Sequence, residues 1–181
     1  MNRTHKIFGG LLIVSALSLA SCIPQPVQLP ELPVERIQTY FPEATETQII
    51  DTSFYEVLNG EGQLLGTVLY SFPYAETVKG YNGTTPLLIT LDPEGRITHV
   101  VMLENHETPR FAERVADGGL YEAWDGLSVN EAIEKQVDAI SGATYTSTGV
   151  KNTLKARLEA YQRQLAKAPI KQNFWQRLFS K

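Results

Sequence analysis

Residues 86–104 read Pro-Leu-Leu-Ile-Thr-Leu-Asp-Pro-Glu-Gly-Arg-Ile-Thr-His-Val-Val-Met-Leu-Glu. Two apolar, β-branched runs flank Asp92-Pro93-Glu94-Gly95. Pro93 suits the second position of a type I turn and Gly95 the fourth, so the segment predicts an antiparallel hairpin. Residues 54–72 repeat the pattern, with Phe-Tyr-Glu-Val-Leu before Asn59-Gly60-Glu61-Gly62 and Gln-Leu-Leu-Gly-Thr-Val-Leu-Tyr-Ser-Phe after it. Here Asn59-Gly60 marks the turn. At an offset of 33 residues Leu58 aligns with Leu91, Glu61 with Glu94, Gly62 with Gly95 and Val68 with Val101. Duplication gives such an alignment, and so do two unrelated hairpins of similar length.

Helices follow the hairpins. Pro109 stands where a first helical turn would begin, ahead of Arg110-Phe111-Ala112-Glu113-Arg114-Val115. Ser128 and Glu131 have the spacing of a capping box. Val150, Leu154, Leu158, Tyr161 and Leu165 form an apolar stripe at helical spacing, with Ser147 or Thr148 as the expected N-cap. A chain of 181 residues holds one such domain. The expected fold is α+β: a twisted, mostly antiparallel sheet of hairpins with helices packed on it, over residues 36–168.

The flanks read differently. Residues 1–21 carry Arg3 and Lys6 before an apolar run from Ile7 to Ala20. That run is short for a membrane span and suits a signal peptide. Leu19-Ala20-Ser21-Cys22 ends it and resembles a bacterial lipobox, which implies cleavage before Cys22 and lipidation of its sulfur. The expected location is the extracytoplasmic side of a cell membrane, periplasmic or cell-surface, held by acyl chains. Residues 22–35 contain Pro24, Pro26, Pro30 and Pro33. They read as a semi-rigid tether reaching about 40 Å, or as an arm packed along the domain. Residues 169–181 mix Phe174, Trp175, Leu178 and Phe179 with Lys and Arg. That basic amphipathic tail suits a membrane interface, a partner, or its own domain.

Cys22 is the only cysteine, which excludes an internal disulfide and a CxxC metal or redox motif. No metal site is expected. The net charge of −4 averages −13 over residues 23–150 and +7 over 151–181. An acidic body argues against nucleic acid as a partner, and the asymmetry suits charge-steered docking to a protein.

Residues 138–148 read Asp-Ala-Ile-Ser-Gly-Ala-Thr-Tyr-Thr-Ser-Thr and feed the last helix. Gly142 and Ala143 permit close backbone approach, and Thr144, Thr146, Ser147 and Thr148 supply four hydroxyls. A helix N-terminus adds N–H groups and a positive dipole end, so the segment suits a phosphate or a plain Ser/Thr helix cap. Asp138-x-x-Ser141-Gly142-Ala143-Thr144 resembles the flavinylation motif of the FMN-binding domain family. That family includes the C subunit of sodium-translocating NADH:quinone reductase and the G subunit of the Rnf complex. With five specified positions, chance produces such a match in a chain this long on the order of once in ten thousand.

The resemblance extends to Lys79-Gly80-Tyr81-Asn82-Gly83 and Asn105-His106-Glu107-Thr108-Pro109, which occur in the family's order. It implies FMN joined by a flavin transferase to Thr144 through a phosphoester. Tyr81, His106, Glu107, Thr108, Arg110, Asp138, Ser141, Gly142, Ala143, Thr146 and Ser147 are then cofactor-side residues. Arg110 stands where the family usually has glycine, facing the phosphate or the flavin's pyrimidine edge, or lying on the surface of the first helical turn. Tyr145 and Trp124 are further aromatic candidates for the flavin's border, and His99 reads as a structural strand residue. No catalytic residue is implied. The expected role is electron carriage rather than enzymatic catalysis, between a membrane complex or quinol and a second redox protein. A flavin-free binding module and a subunit of a flavin-dependent reductase are the alternatives.

Overall fold

The computed structural model describes residues 31–50 and 54–167. The signal peptide 1–21, the lipidated Cys22, most of the proline-rich tether and the tail 169–181 lie outside the described residues.

Five strands form one sheet: β1 (Glu46–Ile50), β2 (Phe54–Leu58), β3 (Leu64–Tyr70), β4 (Leu87–Leu91) and β5 (Ile97–Met102). Their order follows the chain and every pairing is antiparallel. Among the described residues four helices accompany them: α1 (Val34–Ile37), α2 (Pro109–Asp117), α3 (Val129–Glu134) and α4 (Thr144–Lys167), with a 3-10 turn at Tyr121–Trp124. The α+β expectation holds. Among the described residues no helix is long and apolar enough to cross a membrane.

Both expected hairpins form, and their turns share one chemistry. Asn59 Oδ1 accepts from the Gln63 N–H at 2.9 Å, and Asp92 Oδ1 accepts from the Arg96 N–H at 2.8 Å. Gly62 and Gly95 take φ of +72° and +79°, the left-handed geometry that closes each loop. The first loop therefore spans Asn59 to Gln63, not a two-residue Asn59-Gly60 turn. Asn59 reaches ahead to two backbone N–H groups, and this Asx geometry sets the longer loop.

Strand alternation sends side chains to two cores. On one face Phe54, Leu69, Leu87, Ile89, Leu91 and Val100 meet Val115, Trp124, Val150, Leu154 and Leu158. On the other, Tyr55, Val57, Val68 and Leu88 meet Leu32, Ile37, Phe41 and Ala44. Interior strand β4 is buried along its whole length, which accounts for its unbroken run Leu-Leu-Ile-Thr-Leu. Ordered packing reaches back to Leu32, four residues ahead of the expected start at Arg36. Strand β1 carries no apolar alternation and was not expected. It is an edge strand with an exposed face, held by backbone pairing to β2.

Helix signals fare unevenly. Pro109 opens α2 as expected. Ser128 and Glu131 form a complete capping box on α3, with Ser128 N–H donating to Glu131 at 2.8 Å. Helix α4 begins at Thr144, not after an N-cap at Ser147 or Thr148. Both hydroxyls fold back onto carbonyls one turn earlier, Ser147 Oγ to Ala143 O and Thr148 Oγ1 to Thr144 O. Val150, Leu154, Leu158 and Tyr161 are buried, but Leu165 is 50% exposed because the stripe runs one turn past the packed face.

Candidate functional site

Three separate segments meet at the start of α4. The loop at residues 79–84 is pinched by a Gly80 N–H to Gly83 O bond of 2.7 Å. Its backbone lies directly on α4: a Cβ on Gly149 would fall 2.7 Å from Gly80 Cα and 2.8 Å from Gly80 N. The missing side chain at Gly149 allows that approach, and a Cβ on Gly80 would instead fall 2.8 Å from Glu107 Oε1. Gly149→Ala is therefore expected to push the loop off the helix and cost about 1–3 kcal/mol of stability, read as a lower thermal midpoint.

Glu107 joins the segments. It is 5% exposed. Its Oε1 accepts the N–H groups of Asn82 at 2.8 Å and Gly83 at 2.9 Å. Its Oε2 accepts the Tyr81 N–H at 3.1 Å and the Thr146 hydroxyl at 2.5 Å. Burial by itself would raise the carboxyl pKa. The hydrogen bonds from Thr146, Asn82, Gly83 and Tyr81 outweigh it and hold the group below the usual range. Asn82 Nδ2 adds a 2.7 Å bond to the His106 carbonyl.

A shallow cleft of about 170 Å³ opens above this junction, lined by Tyr81, Phe111, Gly142, Ala143, Thr144, Tyr145 and Thr146. Three aromatic rings wall it. Tyr81 meets Phe111 edge-on at 5.0 Å and Tyr145 at 6.3 Å. Tyr81 and Tyr145 are 59% and 71% exposed, which is unusual for rings that could pack inward. Thr144 is exposed at the first position of α4. The helix's first i to i−4 bond is Ser147 N–H to Ala143 O at 2.9 Å, so the N–H groups of Thr144, Tyr145 and Thr146 lie ahead of the hydrogen-bond ladder. Gly142 holds φ of +78° and turns the chain into the helix.

The expected site residues divide by geometry. Tyr81, Gly142, Ala143, Thr144 and Thr146 line the cleft. Glu107 and Ser147 are buried and bonded to the protein's own backbone and hydroxyls. Thr108 is the N-cap residue of α2. His106, Asp138 and Ser141 are exposed outside the lining. Arg110 lies with its guanidinium 5.3 Å from the Phe111 ring centroid. Trp124 is 2% exposed within the helix-facing core and forms no cleft wall. Its indole fills space against the sheet. Phe111 was missed as a wall, because one aromatic on an amphipathic helix reads as core. Arg114 was missed too: its Nη1 donates to Ser141 O at 3.4 Å.

The sequence pattern of the FMN-binding domain matches residues 80–159, the span from the Gly80 loop through most of α4. Residues 80–159 thus resemble the FMN-binding domain family. Among curated proteins it is similar to the G subunit of the ion-translocating oxidoreductase complex of Haemophilus influenzae, 33% identical over 87 residues, 42% of each chain. It is also similar to the G subunit of the proton-translocating ferredoxin:NAD(+) oxidoreductase complex of Clostridium ljungdahlii, 29% identical over 100 residues, 51% of this chain and 53% of that one. The chain spans about half the length of the curated relatives it matches. Among solved structures it is similar to NqrC of Shewanella oneidensis, with a TM-score of 0.45 and 22% identity over 70% of this chain and 71% of that one.

The cleft has the chemistry to suit FMN. Aromatic walls offer contact to a planar ring. A hydroxyl and a helix N-terminus beside them offer a place for a phosphate. Thr144 belongs to the lining and is itself exposed.

Proposed function

We propose that this protein is a membrane-tethered, extracytoplasmic electron carrier with FMN attached through a phosphoester to Thr144. The observation that carries this reading is the exposed Thr144 hydroxyl, set at the first residue of α4 in a cleft walled by Tyr81, Phe111 and Tyr145. A nucleophile for a flavin transferase must be reachable by a second protein, and a surface threonine on a short side chain is. Thr144 Oγ would form the new bond to the flavin phosphorus, with the loss of one water relative to free FMN.

Bound FMN supplies one- and two-electron exchange, and the protein sets its surroundings. In this chain the helix N-terminus would hold the phosphate and the rings would hold the isoalloxazine, while Glu107 fixes the loop that carries Tyr81. A covalent bond suits a location outside the cytoplasm, where a dissociable cofactor would be lost by dilution. Membrane attachment follows from lipidation at Cys22, after removal of residues 1–21. Redox partners are proteins or a membrane complex that meet the exposed rings. The acidic body and basic C-terminal stretch help to orient them.

The test is a mass. The full chain, produced with its flavin transferase in an exporting host and then denatured, should gain FMN less one water, mapped to the peptide containing Thr144. An unmodified mass under those conditions would overturn the reading and favour a flavin-free binding module.

A further inference from the structure

Arg110 and Arg114 stand one turn apart on α2 but have different neighbours. Arg110 lies over Phe111 at the cleft's rim. Arg114 reaches across to the loop that precedes α4, where its Nη1 donates to Ser141 O at 3.4 Å. A Cβ built on Gly142 would sit 2.6 Å from that same nitrogen and 3.4 Å from Arg114 Cζ. The guanidinium therefore occupies the space a side chain at position 142 would take. Gly142 is needed twice, for its φ of +78° and for this contact. A second point holds loop and helix together: a Cβ on Gly118 would lie 2.8 Å from Ile140 Cδ1. The loop is thus laid down along the end of α2, with Arg114 beneath its turn.

The charge at this place is unusual for the chain. Residues 23–150 contain six basic side chains against nineteen acidic ones, yet one of the six lies against the loop that ends in Thr144. Among the described residues Arg114 has no carboxylate within ion-pair distance. It donates to a neutral carbonyl, which engages one of five N–H groups on a fork that matches phosphate oxygens. Gly142, which it touches, lines the cleft beside Thr144.

We propose that Arg114 is the counter-charge for the flavin phosphate, acting with the N-terminus of α4 to hold that phosphate over Thr144. This rests on the reading of the cleft as a flavin site. Arg114 is a binding residue in it, reaching the phosphate past Gly142, and it leaves the ring itself to the aromatic walls.

The experiment uses the full chain carrying Thr144→Val, so that no covalent bond masks affinity. Free FMN and free riboflavin, which differ only in the phosphate, are titrated by quenching of flavin fluorescence. FMN should bind more tightly than riboflavin. Arg114→Gln in that background should reduce the FMN preference about fivefold and leave riboflavin unchanged. Arg114→Lys should restore part of it, and raised salt should weaken FMN alone. An FMN preference unaltered by Arg114→Gln, equal loss of both flavins, or no detectable binding of either overturns the proposal. The outcomes separate from those of the attachment reading. Covalent flavin on the unmutated protein, with an FMN preference indifferent to Arg114, removes only this inference. An unmodified mass, with a preference that Arg114→Gln abolishes, removes the attachment and keeps the phosphate site.

Discussion

Thr144→Val, produced alongside the flavin transferase, is expected to leave the denatured protein at its unmodified mass, a complete loss of covalent flavin. Valine keeps the branched shape and removes only the hydroxyl. The side chain is exposed at the first position of α4, so stability should change by less than about 0.5 kcal/mol. Circular dichroism and thermal midpoint should match the unmutated chain. Transfer to a neighbouring hydroxyl is the informative failure. Thr146 is the nearest rival in the cleft, but it is 1% exposed and its hydroxyl is committed to Glu107 at 2.5 Å. Ser147 is fully buried with its hydroxyl on Ala143 O. Flavin found on either residue in the variant would overturn the assignment to Thr144.

The second large effect concerns Glu107. Glu107→Ala strands three backbone N–H groups and a hydroxyl that now share one carboxylate. Leaving such groups without partners costs about 3 kcal/mol or more, which lowers the thermal midpoint by about 6–12 °C. Glu107→Gln retains the shape but turns one acceptor into a donor facing donors, so it should fall between. The pH dependence has a definite sign. The folded-state pKa lies below the unfolded value, so the stabilisation is complete above the unfolded carboxyl pKa. It is lost as pH falls through the folded value. The stability gap between the unmutated chain and Glu107→Gln should therefore be widest near neutrality and shrink in acid. A gap constant from about pH 7 to about pH 3 would show that ionised Glu107 is not what holds the junction.

Glu107 also shows where sequence reading stopped. Its segment was legible as part of a constellation, but side-chain direction was not. A carboxylate near an expected flavin reads as a cofactor contact, whereas this one turns inward to bind the loop and Thr146. The hairpins were legible because turn chemistry is local: Asn59 with Gly62 and Asp92 with Gly95 close their own loops. Ser128 with Glu131 is equally local. Strand β1 was not legible, since backbone pairing to β2 requires no apolar alternation from a half-exposed edge. Leu32 and Phe41 were obscured by the proline-rich text beside them, and their burial depends on a sheet face built far downstream. Phe111, Trp124 and Arg114 make the same point. Which aromatic walls a cleft, which fills a core and which arginine crosses to a loop are decided by tertiary placement, not by local sequence.

Helix α4 has 24 residues, a rod of about 36 Å at 1.5 Å per residue. Thr144 is at one tip and Lys167 at the other. The last described residue thus lies a helix length from the cleft. Whatever the residues after Lys167 engage, their point of departure is a full helix length from Thr144. A contact made at the Lys167 end of α4 therefore leaves the cleft open to a different visitor.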